Sequence, residues 1–169
     1  MAVNNVVKIT KNKVIPFLDT SNTVNSGSTW VPVWKRIDKS TIFDLAFNPQ
    51  SETTDYIAYE TAIEEISGYQ PELPQEIALY RGNEIYDYIE ELCYKLEVGD
   101  ALRIPFMLAW PPQADGTIKA WQVKECRLLL SNYNSVDGKV TFTLKIGGDI
   151  ERGTVTIDDG VPTFAKAEA

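Results

Sequence analysis

Histidine is absent from the 169 residues, and this removes histidine general bases, Ser-His-Asp and Cys-His nucleophile pairs and every imidazole metal site together. Cysteine occurs only as Cys93 and Cys126. Two thiols cannot complete a four-cysteine zinc site or make a disulfide framework, so both are expected to be reduced, partly buried apolar fillers. Long hydrophobic runs are missing too: the longest mostly apolar stretch, Ile104 to Trp110, is far below the roughly 20 residues a bilayer span requires. The opening Met-Ala-Val-Asn-Asn-Val-Val-Lys has no apolar block of the kind a secretory signal carries. Membrane insertion is therefore not expected. Clustered basic charge is the last absence. Of 24 Asp and Glu, thirteen lie between positions 51 and 100 against only Arg81 and Lys95 there, and the net charge is −8. Tight nucleic-acid binding needs Lys and Arg gathered on one face, which this distribution disfavours.

What remains has the composition of an ordinary globular chain, with 44% hydrophobic and 24% charged residues, at a length that suits a single folding unit. Val3 to Thr10 and Lys13 to Leu18 are β-prone, and the Ser/Thr/Asn/Gly run from Asp19 to Thr29 reads as a loop. Trp30 to Phe47 alternates apolar and charged residues like a half-buried strand pair, with Pro32 favouring an edge, and Asn48-Pro49 ends it. The stretch 48–74 is acidic and rich in tyrosine and reads as an extended arm, in which Thr54 to Tyr59 and Thr61 to Ile66 are candidate paired strands.

One helix is legible. Ile85, Tyr88, Ile89, Leu92, Cys93 and Leu96 recur at steps of three and four and form a stripe for packing on a sheet. Asn83 suits the N-cap and Gly99 the left-handed position past the last turn. Beyond it Ala101 to Trp110, Ile118 to Ser131, Val140 to Ile146 and Thr154 to Ile157 read as strands, punctuated by Asp115-Gly116, Asp137-Gly138 and Gly147-Gly148-Asp149. Strands, one helix and more strands predict a mainly β (α+β) domain: an antiparallel β-sandwich or barrel with one flanking α-helix.

The paired acids Glu64-Glu65, Glu90-Glu91 and Asp158-Asp159 are not acid/base dyads, because neighbouring side chains diverge on strands and helices alike. Gly147-Gly148 lacks the context of a phosphate cradle, and Asp158-Asp159-Gly160 lacks the ligand spacing of a calcium loop. No catalytic residue, cofactor site or metal site is expected. The four tryptophans, Trp30, Trp34, Trp110 and Trp121, serve either as core or as contact surface for another subunit or a sugar. The same two readings stand for Tyr56, Tyr59 and Tyr69 on the arm.

The runs Phe47-Asn48-Pro49-Gln50-Ser51-Glu52-Thr53-Thr54-Asp55-Tyr56-Ile57, Gly68-Tyr69-Gln70-Pro71-Glu72-Leu73-Pro74-Gln75-Glu76 and Tyr80-Arg81-Gly82-Asn83-Glu84-Ile85-Tyr86-Asp87-Tyr88-Ile89, closed by Gly147-Gly148-Asp149 and Gly153-Thr154-Val155-Thr156, resemble the major tail protein, or tail tube protein, of long-tailed siphophages. The resemblance spans about Trp30 to Ile157. It implies a tail-tube-like domain over 1–169 that assembles into hexameric rings, stacked as a hollow tube around a tape-measure protein. Tail terminator and tail-tip proteins would be its other partners, double-stranded DNA would pass through transiently and without specificity, and the product would reside in the virion after assembly in the host cytoplasm. A carboxylate-lined lumen would repel DNA phosphates. Because the sequence ends soon after Ile157, the extra C-terminal immunoglobulin-like domain of some members is expected to be missing. Asp55, Tyr56, Ile57, Tyr59 and Tyr69 are then the candidate subunit or ring interface. The alternative is a carbohydrate-binding β-sandwich module using exposed tryptophans.

Overall fold

The computed structural model describes residues 6–168. Of the β-prone run at 3–10, positions 3–5 lie outside the described residues, and Val6 to Thr10 has no regular structure. The chain forms β1 (Ile15–Asp19), β2 (Trp34–Arg36), β3 (Pro49–Thr54), β4 (Ile63–Tyr69), β5 (Glu72–Ala78), α1 (Glu84–Lys95), β6 (Phe106–Ala109), β7 (Lys119–Val123), β8 (Arg127–Asn134), β9 (Lys139–Lys145), β10 (Ile150–Asp158) and β11 (Val161–Lys166). The strands make a six-stranded sheet in the order β11-β10-β7-β6-β1-β2, a three-stranded sheet β5-β9-β8 and the isolated pair β3-β4, all antiparallel. The fold is therefore mainly β with one flanking helix.

Alternation along the strands sends side chains to two cores. From β1 and β6, Leu18, Phe106 and Leu108 face the first core, while Phe17, Met107 and Ala109 face the second. The second core also collects Trp34 of β2 and Phe164 of β11, residues from opposite edges of the six-stranded sheet. The sheet is therefore curled into a half-barrel around it. The first core lies between the outer face of this curl, the three-stranded sheet (Leu73, Ile77, Val140, Phe142, Leu144) and α1. Gly153 of β10 permits the closing approach of β11, since a Cβ there would stand 2.1 Å from the Ala165 carbonyl oxygen.

Helix α1 starts at Asn83, whose Oδ1 accepts from the Tyr86 amide at 3.0 Å. It buries Ile85, Ile89 and Leu92, with Tyr88 and Cys93 half-buried against the same core. Tyr86, off the stripe that spacing suggests, is buried as well. Leu96 departs from the stripe: it is the C-cap residue, left-handed at φ 51° and 80% exposed. The helix thus ends at Lys95, four residues before Gly99, whose φ of +65° opens a short 3-10 turn instead.

Several strand expectations are corrected. Only Trp34–Arg36 of the 30–47 stretch is a strand; thereafter the chain follows β5 through bridges at Ser40 and Ala46 and covers its outer edge. The stretch 118–131 is not one strand but β7 and β8, in different sheets, separated by Lys124, Glu125 and Cys126. The arm pairs over 49–54 and 63–69 rather than over 54–59 and 61–66. Strand β11 lay outside every expectation, although Asp159 (φ 49°) and Gly160 (φ 78°) form a hairpin turn directly before it.

Candidate functional site

The arm is positioned by its root. Asn48, left-handed at φ 45°, turns the chain outward, its Nδ2 donates to the Gln70 carbonyl at 3.2 Å, and the Gln70 amide donates to Phe47 O at 3.1 Å. Beyond this clasp β3 and β4 pair only with each other, so each has an outer edge with no strand beside it. The register places Glu52 directly opposite Glu65, a like-charge pair that weakens an isolated hairpin. Ser51 Oγ partly answers the neighbouring charge by donating to Glu64 at 2.7 Å. At the tip Tyr56 and Tyr59 meet edge to face with centroids 6.2 Å apart, and Ile57 is fully exposed. Asp55 is exposed beside them, and Tyr69 lies back at the root, edge-on to Phe47 at 6.5 Å. The five candidate interface residues thus divide: Asp55, Tyr56, Ile57 and Tyr59 share the tip, and Tyr69 belongs to the root.

At that root the arm meets the curled sheet in an apolar groove of about 610 Å3, bordered by Phe47, Ile66, Tyr69, Pro71, Trp121 and Arg152. Trp121 and Arg152 also border an adjoining hollow of about 470 Å3 with Trp110, Lys119 and Thr154. Lys119 and Trp121 project from one face of β7 beside Thr154 and Arg152 of β10, their register partners. Trp110 and Trp121 pack edge to face at 5.0 Å. Neither Lys119 nor Arg152 forms an ion pair among the described residues. Arg152 donates from Nη1 to the Ile150 carbonyl at 3.3 Å. Sequence reasoning singled out the tryptophans, but not that the two would meet beside two cations with no acid paired to them among the described residues.

The remaining polar groups hold the scaffold together. Arg81 binds Glu90 with two bonds of 2.8 Å, and this charge-assisted pairing, helped by the Tyr86 hydroxyl, keeps the Glu90 carboxyl below its ordinary value. Tyr86 donates to Glu90 at 2.5 Å and shares a 2.7 Å hydrogen bond with Tyr133 of β8, tying the helix to the three-stranded sheet. Lys139 and Thr41 similarly hold Glu76 below its ordinary value. Burial pushes Tyr88 up to about 12, with the Asp19 charge adding to it. Burial likewise raises the Cys93 and Cys126 thiols, so neither is poised as a thiolate nucleophile. Among the described residues no three Cys, Asp or Glu side chains gather to hold a metal, and no helix is long and apolar enough to cross a membrane.

No protein-family model matches the chain, and no curated protein matches it. Solved structures do share its fold. One is the sheath/tube terminator of an extracellular contractile injection system, PVC, in its extended state, with 8% identity over 88% of this chain and 98% of that one at a TM-score of 0.50. Another is the tail of an empty GTA particle with C6 symmetry, with 9% identity over 85% of this chain and 97% of that one at a TM-score of 0.52. At such identities the likeness is one of fold. It places the chain's architecture among components of tail-like assemblies.

Proposed function

We propose that this protein is a structural subunit of a phage-type tail, specifically the tail tube protein of a long-tailed siphophage, which polymerises as stacked hexameric rings into a hollow conduit for DNA. The observation that carries the reading is the arm: a two-stranded hairpin with both outer edges free, apolar and aromatic at its tip, and destabilised internally by Glu52 facing Glu65. Such a hairpin is at best marginally stable in water and gains by docking on another subunit. The shared fold with a tube terminator and with a C6-symmetric tail supports the same direction. Tape-measure, terminator and tip proteins would be the other partners, in the virion, with DNA passing transiently past surfaces that carry few clustered cations.

The tryptophans favour this over sugar binding. All four are half-buried and packed in edge-to-face pairs, Trp30 with Trp34 and Trp110 with Trp121, so they do not form a row of flat, open rings of the kind a sugar stacks on. Negative-stain microscopy with sedimentation of the concentrated protein tests the function. A tube subunit gives stacked rings or tubes, and replacing 52–65 with a short Gly-Ser turn abolishes stacking while circular dichroism stays β-rich. Isolated closed rings that never stack would mark a terminator instead, and a monomer at every concentration would overturn the reading.

A further inference from the structure

The groove at the root of the arm and the tip of the arm are complementary in chemistry, and they cannot meet within one copy. The tip presents Tyr56, Ile57 and Tyr59 flanked by Asp55 and Glu60, all exposed. The groove presents Trp110 and Trp121 flanked by Lys119 and Arg152, neither of which is ion-paired among the described residues. An apolar centre with a rim of one charge sign faces an apolar centre with a rim of the other. That is the arrangement of a specific protein interface, with aromatic anchors seated in a pocket and charges at the rim setting orientation. Strand β3 has six residues. At about 3.3 Å per residue the tip stands roughly 20 Å from its own root, so the acidic aromatic end points away from the basic aromatic groove beside that root.

We propose that the groove formed by Trp110, Lys119, Trp121 and Arg152 is the receptor for the arm tip of a second copy of this chain. The inference rests on the reading of the arm as an assembly element, and adds where it lands. Tip and groove are different surfaces, so the contact is head-to-tail: each copy gives one tip and receives one, and the repeat closes into a ring or runs on as a filament according to the rotation between successive copies. The groove is the poorer match for a sugar. Its walls are tryptophan, alanine and glycine with two cations and the single hydroxyl of Thr154, and among the described residues no carboxylate or side-chain amide borders it to accept from hydroxyls.

The test introduces photoreactive p-benzoylphenylalanine at Tyr56 in the full chain, irradiates the concentrated protein and maps the cross-linked peptides by mass spectrometry. Cross-links to peptides containing 110–121 or 150–154 of another copy are the expected result. Intermolecular cross-links confined elsewhere would overturn the groove while leaving the arm an assembly element; no intermolecular cross-link at any concentration would overturn both. The independent check is charge reversal at exposed positions that the fold does not need. Lys119→Glu with Arg152→Glu should raise the concentration required for assembly about tenfold or more, and Asp55→Lys with Glu60→Lys on the same chain should recover most of that loss. Failure of the swap to recover assembly, with each variant melting like the parent, would count against the groove.

Discussion

At the residue scale, Asp19 shows how one buried charge organises a loop that composition alone leaves shapeless. The carboxylate is 1% exposed. Its Oδ1 accepts from the amides of Ser21 and Val33, both at 2.9 Å, and its Oδ2 accepts from the indole Nε1 of Trp30 at 2.8 Å. A buried carboxylate satisfied by three donors is stable where an unpaired one would be costly, and the donors depend on it equally. Asp19→Ala strands all three and should lower the unfolding free energy in urea by about 3 kcal/mol, while Asp19→Asn, which keeps one acceptor oxygen, should cost about half as much. An Asp19→Ala protein as stable as the parent would show that the loop is held by something else. Glu90 gives a second residue-scale prediction, in pH. Its carboxyl and that of Glu76 sit below the ordinary 4.5 in the folded state, first through hydrogen bonds from Arg81 and Lys139 respectively. Because the folded form releases these protons more readily than the unfolded chain, their stabilisation is complete above pH 4.5 and is lost as the pH falls below it through the lowered values. Thermal melts of Glu90→Gln between pH 6 and 3 should therefore fall less steeply with acid than those of the parent, and parallel curves would refute the assignment.

At the element scale, the helix was the most legible feature of the sequence and the strands the least, for physical reasons. Helix α1 repeats its apolar residues with the 3.6-residue period and begins at a capping side chain, so its start and its buried face follow from local chemistry. Its end does not, because Leu96 takes the left-handed cap that glycine usually fills, with the Leu96 amide donating to Cys93 O and the Glu97 amide to Leu92 O, both at 3.3 Å. Strands depend on partners distant in sequence. Ile118 to Ser131 keeps an apolar rhythm straight through Lys124-Glu125-Cys126, with no glycine or proline to mark where the chain leaves one sheet for the other. The arm was legible as an arm because its acids, tyrosines and bounding prolines resist packing, but its register slid, since strands exposed on both faces carry no alternation to fix it. The groove was invisible altogether. Trp110, Trp121 and Arg152 come from a loop and two strands that meet only in the folded sheet.

At the scale of the whole molecule, the question is which sheet borders the fold itself has closed. The outer edge of β5 is covered by its own chain, through the Thr41 amide to Glu76 O at 2.9 Å, reciprocal 2.9 Å bonds between Ala46 and Glu72, and the Ala78 amide to Lys39 O at 3.1 Å. The curled sheet brings β2 and β11, its two borders, toward one another around a shared apolar core. These two rims are not hydrogen-bonded to each other, and among the described residues two further borders stay open. One is the arm; the other is β8, which beyond a single bridge from Arg103 to Arg127 pairs on one side only and exposes Leu129 and Tyr133. Open edges of this kind template pairing with another chain, and proteins that work alone usually blunt them. A subunit that polymerises should instead keep open the edges it uses and cover those it does not. Amide hydrogen exchange distinguishes the two cases. In dilute protein the arm amides and the outward amides of β8 should exchange rapidly, while β5, shielded on both sides, exchanges slowly. On polymerisation the first two groups should become protected and β5 should change little. Protection of the arm alone would leave β8 as a lateral surface with no strand partner, and an unchanged pattern in both would mean that the polymer, if it forms, uses neither open border.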